Sequence, residues 1–351
     1  NFTHGKVLIL ISIEEEKELL NNLINNSLDT FTINCLIKYA NISTDIFNID
    51  HNLLIKNLSS NLKNNIVLSK KFNNLSNILG FYDYESKQIY INSKVANKQY
   101  VISLIFHELD HASNYQKLNL EDKLQYLDTY LQNLKEKYPF VQKDPFAKNI
   151  LKNKFLKSNC FSCGFNNAII GKALDINLNF LKEGFTTYKQ SKYEEYLNLS
   201  DSLTCKDNSY KNEMKVAKVL IETIGEDTVM QLEQHNDILE LKEIFEKITQ
   251  KQISFEDLIK QLNKTRVNSI KILENQQILD TMLKKIFLFR KAYDYGLVFD
   301  SNVLTLSQLQ DLIASFEQNL EFQKKIKVTT YKNLNKINFK NNRSIEDTYI
   351  K

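Results

Sequence analysis

The chain has 351 residues, a length that accommodates one large domain or two smaller ones. Its 42% hydrophobic and 25% charged content is ordinary for a globular protein and excludes a disordered or collagen-like chain. The 46 basic and 42 acidic residues leave a net charge of only +4, spread along the sequence. No strongly basic face therefore indicates a nucleic-acid partner, and we predict none.

The sequence also predicts no membrane span, because no apolar run approaches the roughly 18 residues that such a helix needs. It begins with Asn1 rather than Met, as a processed chain does, so we expect a secreted or cell-surface location rather than a cytoplasmic one. Of the 4 cysteines, Cys160 and Cys163 form the one close pair. Since they lack a second pair and a thioredoxin-like context, we interpret them as a labile disulfide or as a pair without function.

The first 115 residues mix strand and helix patterns. Residues 7–11 read as a short buried strand, and residues 14–24 have the character of a helix. Residues 80–92 predict a β-hairpin, because aromatic and β-branched residues flank a polar turn at 83–87. In its second strand, Ile89 and Ile91 would share one apolar face. The apolar run that follows Tyr100 predicts a largely buried helix.

Helices dominate the rest of the chain. Leucines recur at steps of four and three from Leu120 to Leu134, which predicts one amphipathic helix that stops before Pro139. Residues 139–167 contain both prolines, and we interpret them as an irregular excursion with room for a short helix. From Ala168 onward the pattern is helical almost throughout, with a C-cap at Gly225 and capping boxes at 254–257 and 305–308.

These elements predict an α+β, helix-rich fold with a small twisted sheet in the N-terminal part and a mostly helical C-terminal part. Strands should cluster in the first 100 residues. We divide the chain into residues 1–115 with the sheet, residues 116–265 as a helical subdomain, and residues 266–351 as a C-terminal helical extension.

The most informative motif is HExxH, formed by His107, Glu108 and His111 within the predicted buried helix. The i, i+4 spacing places both histidines on one helical face, one turn apart, so two imidazoles can bind one metal ion. Glu108 is then placed to contact a water molecule at that ion. Zinc is the expected metal for two imidazoles and a carboxylate, so we predict one Zn²⁺ per chain. Asp110 points away from the two histidines, and we interpret it as a polar surface residue or as a residue that supports the metal ligands without binding the metal.

A third protein ligand has to come from elsewhere in the sequence. The extended HExxHxxGxxH pattern fails, because residues 112–117 contain no histidine. His235 is the only later histidine and reads as a surface residue in helical sequence. A carboxylate is the better candidate, and Glu183, immediately before Gly184 in a helical segment, supplies one. Its rivals are Glu194, Glu195 and Glu213.

HExxH followed by a helix with Glu183-Gly184-Phe185-Thr186 resembles the gluzincin branch of the zincin-type zinc metallopeptidases. The likeness is greatest to bacterial zincin-like proteins with an Asn-Glu-Gly-(Leu/Phe)-Thr helix. It covers about residues 80–225 and implies that Glu183 is the third zinc ligand. The sequence departs from this pattern at Lys182, where the family usually has Asn, and in the long gap between His111 and Glu183.

The resemblance further implies a zinc-dependent endopeptidase that acts on a peptide or protein substrate. A metal-activated water would attack the peptide bond, with Glu108 as the general base. Tyr188 or Tyr210 would stabilise the oxyanion. An edge strand, which we place at residues 88–92, would pair with an extended substrate. The alternative is a catalytically idle zincin fold that serves as an interaction module through its helical C-terminal part.

Overall fold

The computed structural model describes residues 28–70, 78–139, 143–158, 160–199, 202–206, 210–266, 271–299 and 304–334. In the ranges 205–206 and 322–334 it describes the backbone alone. The strand predicted at residues 7–11 and the helix predicted at residues 14–24 lie outside the described residues.

A three-stranded sheet forms near the start of the described chain, in the order β1-β3-β2. Its strands are β1 (Val67–Ser69), β2 (Gly80–Asp83) and β3 (Gln88–Asn92). Strand β3 runs parallel to β1 and antiparallel to β2. The predicted hairpin is therefore confirmed, and both Ile89 and Ile91 are fully buried on the face that the alternation indicated.

Three helices of this part of the chain pack together: α1 (Thr30–Phe47), α2 (His51–Asn61) and α3 (Val101–Asn114). Asp29 caps α1 by accepting a hydrogen bond from the backbone N–H of Thr32, and Asp50 caps α2 in the same way from Leu53. Helix α3 carries the HExxH motif and packs against α1, α2, β2 and β3. Every residue of α3 from Ser103 onward is buried, which confirms the predicted buried helix.

A second small sheet, in the order β4-β5-β6, contradicts the prediction that strands cluster in the first 100 residues. It consists of β4 (Tyr115–Lys117), β5 (Phe161–Cys163) and β6 (Asn166–Asn167). Strand β4 continues directly from the end of α3 and pairs with β5 from a distant part of the chain. Strands of two or three residues have too few positions for an alternating pattern, so the pairing cannot be read from the sequence.

Between these strands lie α4 (Leu120–Gln125), α5 (Leu127–Lys137) and α6 (Pro145–Lys157). The predicted single leucine-striped helix is thus broken at Tyr126, with Leu120 and Leu124 exposed and Leu131 buried. Its end at residue 137 is as predicted. The region interpreted as irregular, residues 139–167, contains the short helix for which we left room, α6, which Asp144 caps and in which Pro145 occupies the first helical position, where proline is favoured.

The remaining described chain is helical, as predicted. Its helices are α7 (Ala168–Leu174), α8 (Asn179–Tyr196), α9 (Leu203–Lys206), α10 (Lys211–Ile224), α11 (Glu226–Gln234), α12 (Ile238–Ile248), α13 (Phe255–Lys264), α14 (Ile272–Asp294) and α15 (Leu306–Leu334). Gly225 ends α10, and its N–H donates to the carbonyl of Ile221. The capping box predicted at residues 305–308 is confirmed, since Thr305 and Gln308 each accept from the backbone N–H of the other. At residues 254–257 the structure shows one half of the predicted box, in which Ser254 accepts from the N–H of Asp257.

The predicted helix-rich fold, with its small N-terminal sheet and helical C-terminal part, is confirmed. One hydrophobic cluster extends from Leu28 to Ile313 and includes buried residues of α3, α8, α10 and α14. A smaller cluster lies beneath α4, α5 and α6 and includes Phe155. The division of the chain at residues 115 and 265 stays a prediction. Within the described residues, no helix is long and apolar enough to cross a membrane.

Gly184 decides how closely α8 and α10 approach each other. A Cβ atom at this position would lie 2.4 Å from the carbonyl oxygen of Glu213 and 2.7 Å from its carbonyl carbon. Both are backbone atoms, so a side chain at Gly184 would push the two helices apart. The glycine that follows Glu183 in the sequence motif therefore has a packing role.

We expect Gly184→Ala to destabilise the protein by about 1–3 kcal/mol through this clash. Alanine normally stabilises a helix interior by about 1 kcal/mol relative to glycine, so the sign of the change is diagnostic. The free energy of unfolding from urea titrations measures it. Lys192→Ala, on the exposed side of the same helix, should change stability by less than about 0.5 kcal/mol. A Gly184→Ala variant as stable as the parent would contradict the close-approach argument.

Candidate metal centre

Helices α3 and α8 bring His107, His111 and Glu183 together in the protein interior. The Nε2 atoms of both histidines lie 3.4 Å from the same carboxylate oxygen, Oε2 of Glu183. The three side chains are buried, and their ligand atoms all lie within 4.8 Å of one another. Across the described ranges, this is the one group of three such side chains close enough to hold a metal ion.

The spacing of these atoms suits a tetrahedral metal ion. Zinc bonds of about 2.0–2.1 Å at tetrahedral angles separate two ligand atoms by roughly 3.4 Å. Both separations between a histidine nitrogen and Oε2 of Glu183 are 3.4 Å. Two imidazoles and one carboxylate also match the donor set of catalytic zinc sites, which keep further positions open. The residues present therefore fit a metal ion of this kind.

Gln190 fixes the state of the His107 ring. Its Oε1 lies 2.9 Å from Nδ1 of His107, and an amide oxygen can only accept, so Nδ1 carries a proton, and in the neutral ring the free lone pair is on Nε2. The orientation of the Gln190 amide is set by its nitrogen, because Nε2 donates to Ser103 and to the carboxylate of Glu194. Such a contact orients a ligating imidazole and strengthens its binding to a metal.

The charges around His111 favour its neutral form, which is the form that binds metal. Burial lowers the pKa of His111 to about 4, and the nearby Lys182 ammonium adds to this effect. Among the described residues, Nδ1 of His111 has no hydrogen-bond partner. Burial alone would raise the pKa of Glu183, but His111 and Lys182 outweigh it and hold that pKa well below its usual value. Glu183 therefore stays ionised.

Burial would likewise lower the pKa of His107, but the carboxylates of Glu183 and Glu108 outweigh it and raise that pKa. The two histidines thus differ in their charge preference, although both rings point at Oε2 of Glu183. A divalent cation at this point would compete with protons for both Nε2 atoms.

Glu108 lies beside the ligands and is held from the sheet side. The backbone N–H of Tyr82 donates to its carboxylate, and Gly80 passes so close that a Cβ there would be 3.1 Å from Oε1 of Glu108. Burial raises the pKa of Glu108 to about 7. A carboxylate with such a pKa can both accept and release a proton near neutral pH.

A cavity of about 370 Å³ opens over these groups. Besides Glu108 and the three ligands, its walls come from the β2 segment, the aromatic rings around Tyr84 and the α9–α10 region. These lining residues are Ile78, Leu79, Gly80, Phe81, Tyr82, Tyr84, Leu104, Phe161, Asn179, Lys182, Thr187, Gln190, Leu203, Thr204 and Tyr210.

The edge strand at the cavity is β2. We predicted that residues 88–92 form the edge strand that pairs with an extended substrate, and this prediction is wrong. Strand β3 is the central strand of its sheet, paired on both sides. The N–H of Asn92 donates to the carbonyl of Leu79, so by the alternation of antiparallel hydrogen bonds Gly80 and Tyr82 direct their backbone groups away from β3. The sequence pattern of a hairpin does not reveal which of its two strands will pair with a third strand.

The two candidate tyrosines are placed differently. Tyr188 is not among the described residues that line the cavity, and its hydroxyl donates to Glu226 at 2.6 Å. Tyr210 does line the cavity, and burial together with the charge of Glu183 raises its pKa, so its hydroxyl keeps the proton that it could donate. The guanidinium of Arg266 lies 5.1 Å from the centre of the Tyr210 ring.

The rival carboxylates all have other partners. Glu194 is buried and accepts hydrogen bonds from Ser103 and from the 202–204 segment, so it anchors one wall of the cavity. Glu195 is exposed and paired with Lys192. Glu213 is buried against Arg266. Only Glu183 lies with the two histidines.

Asp110 is buried, so its interpretation as a surface residue is wrong. It accepts hydrogen bonds from Tyr39 at 3.0 Å and Thr186 at 2.9 Å, and it is ion-paired with Lys189, which also contacts Glu233 at 2.8 Å. Asp110 therefore ties the ligand helix α3 to α8. His235 is exposed, as predicted.

The thiols of Cys160 and Cys163 are both free, so the disulfide interpretation is wrong. Cys163 donates from Sγ to the carbonyl of His111 at 3.3 Å, which fastens β5 to the end of the ligand helix. Cys160 lies next to Ser158, with 3.1 Å between Sγ and Oγ. Cys160 immediately precedes β5 and Cys163 ends it, and residues an odd number of positions apart in extended chain point to opposite sides, so the two thiols face different surroundings.

Sequence reasoning missed Gln190, Gly80 and Arg266. A signal existed for Gln190, because it follows Glu183 by seven positions on α8, and residues seven apart share one face of a helix. Gly80 and Arg266 reach the site only through the packing of β2 and of the end of α13. No local pattern could have identified them.

No protein-family model matches the chain, and neither a curated protein nor a solved structure matches it. The chemistry of the centre therefore has to be inferred from its own atoms. Those atoms define a class of site, namely a buried group of two histidines and one carboxylate that could hold a metal ion.

We expect Gln190→Leu to weaken metal binding by about 10–100-fold, the usual effect of removing the partner of a ligating histidine. Without the amide oxygen, the Nδ1 proton of His107 loses its acceptor and the ring loses its orientation. Competition with a chromophoric chelator measures the zinc dissociation constant. Thr187→Val, at a position between Glu183 and Gln190 on the same helix, is the matched control and should leave that constant unchanged, because the Thr187 hydroxyl has no hydrogen-bond partner among the described residues. Equal zinc affinity in the Gln190→Leu and parent proteins would show that Gln190 does not support the ligand.

Proposed function

We propose that the chain is a zinc-dependent endopeptidase of the zincin type, in the gluzincin branch. The observation that carries this proposal is the convergence of two imidazole nitrogens on one oxygen of Glu183, at 3.4 Å each, beside Glu108 in one cavity. His107, His111 and Glu183 would hold the ion. Polarisation of the scissile carbonyl and acidification of the attacking water are the chemistry that a bound zinc ion supplies.

Glu108 is the proposed general base. Its carboxylate, steadied by the backbone N–H of Tyr82, accepts the proton of the attacking water and then donates it to the leaving amine. The raised pKa of Glu108 supports both halves of this role, because the same group must take up and release one proton in each cycle. Tyr210, which lines the same cavity, would donate a hydrogen bond to the developing oxyanion.

Strand β2 supplies a way to hold a polypeptide. The backbone groups of Gly80 point away from β3, toward the cavity, and the space that a Cβ atom would fill at this position is taken by the side chain of Glu108, which therefore lies directly against this edge. An extended peptide could pair with this edge and lie across the metal centre. This mode recognises a peptide backbone and therefore favours a peptide or protein over a small-molecule substrate.

The proposal is tested by incubating the zinc-loaded protein with a mixed peptide library and identifying products by mass spectrometry. We expect cleavage at internal bonds with a defined sequence preference, its loss on chelation, and its return when zinc is restored. If the protein holds zinc at full occupancy and cleaves none of the peptides, a catalytically idle interaction module becomes the better description.

A further inference from the structure

The two oxygens of the Glu183 carboxylate have different partners. Oε2 lies 3.4 Å from Nε2 of both His107 and His111, whereas Oε1 lies 2.9 Å from Nζ of Lys182. The side chains of Lys182 and Glu183 are only 7% and 11% exposed. At positions this buried, the ion pair fixes which oxygen faces the histidines.

The pairing of Lys182 with Glu183 is not what their sequence positions predict. Adjacent residues on a helix point about 100° apart and do not normally face each other. Here the Lys182 side chain extends along the cavity wall, and its ammonium reaches both Glu183 and the hydroxyl of Tyr84, the latter at 3.5 Å. The Tyr84 ring is in turn stacked on Phe161, with 5.1 Å between the ring centres. The lysine is therefore held on two sides.

A carboxylate can bind a metal ion through one oxygen or through both. Two-oxygen binding uses an additional coordination position, which a hydrolytic site needs for water and for the substrate carbonyl. An ammonium that occupies Oε1 makes two-oxygen binding costly, because the ion pair would have to be broken within a buried site.

We propose that Lys182 is a positioning residue that restricts Glu183 to binding the metal through Oε2 alone and so keeps the coordination sphere open. The inference rests on the metal centre of the proposed function, but not on peptidase activity. It also gives a physical role to the lysine that stands where the resembling family usually has asparagine.

The test uses cobalt as a spectroscopic substitute for zinc in the full chain, since four-coordinate Co²⁺ absorbs visible light much more strongly than five- or six-coordinate Co²⁺. We expect the parent protein to show the intense spectrum at full cobalt occupancy. Lys182→Met should still bind the ion, but its visible absorption should fall several-fold as Oε1 joins the coordination sphere. Lys182→Arg should retain the parent spectrum, because a guanidinium can still pair with Oε1.

Lys182→Leu is a second neutral variant without a hydrogen-bond donor and decides the question if Lys182→Met does not fold. Parent-like spectra in the folded neutral variants, or a weak spectrum in the parent, would overturn the role of Lys182. A parent protein that binds no cobalt or zinc would overturn the metal centre and this inference together. A protein that shows the expected spectra but cleaves no peptide would refute the peptidase proposal alone, and the role of Lys182 would stand.

Discussion

Glu108→Gln should abolish peptide cleavage while leaving the metal bound. The amide keeps the shape of the side chain and can still accept the hydrogen bond from the backbone of Tyr82. It cannot take a proton from water, and loss of a general acid–base group costs about 10²–10⁴-fold in rate. The decrease should appear in kcat for a peptide selected from the library, with the zinc content measured in parallel by elemental analysis.

The matched control for this change is Glu195→Gln, which makes the same substitution at an exposed carboxylate on α8. Its kcat should stay within about twofold of the parent value, because exposed substitutions rarely disturb a structure. If Glu108→Gln were as active as this control, Glu108 could not be the base. Loss of zinc in Glu108→Gln would instead indicate that the carboxylate supports the metal site.

The second large effect is expected at the ligands themselves. His107→Ala, His111→Ala and Glu183→Gln should each lose most of the bound zinc, because each removes one member of the three-residue group that we propose as the zinc site. Glu183→Gln carries a further cost, since it leaves the buried Lys182 ammonium without its carboxylate. Zinc per chain after dialysis, and the zinc dissociation constant where binding persists, are the quantities to measure.

His235→Ala is the control for the histidine variants, because His235 is exposed and lies outside the cavity. It should retain about one zinc ion per chain. Full zinc occupancy in both His107→Ala and His111→Ala would refute the metal centre. Full occupancy and normal turnover in Glu183→Gln would refute only the third ligand and would leave the HExxH histidines in place.

The sequence by itself determined the parts of the site that depend on local geometry. His107, Glu108 and His111 follow from one helical repeat, because i, i+4 spacing on any α-helix places two side chains on one face. Glu183 could be selected only by resemblance, since its distance from His111 along the chain carries no geometric information. The hairpin at residues 80–92 and the cap at Gly225 are likewise short-range features that a local pattern specifies.

Tertiary structure alone decided which tyrosine and which strand lie beside the candidate metal centre. Tyr210 rather than Tyr188 lines the cavity, because α10 packs on α8 in the register that Gly184 permits. Strand β2 rather than β3 forms the edge, because β1 pairs with the opposite side of β3.

Gln190 meets His107 only when α3 and α8 pack together, and Lys182, besides its neighbour Glu183, reaches the hydroxyl of Tyr84 on another part of the chain. The contacts of Gln190 with His107 and of Lys182 with Tyr84 join residues far apart in the sequence, and their approach is set by the shapes of buried surfaces. A pattern of residue types along the chain does not encode those shapes locally. The sequence therefore specified the groups that could bind a metal ion, and the packing of the helices and sheet specified how those groups are oriented.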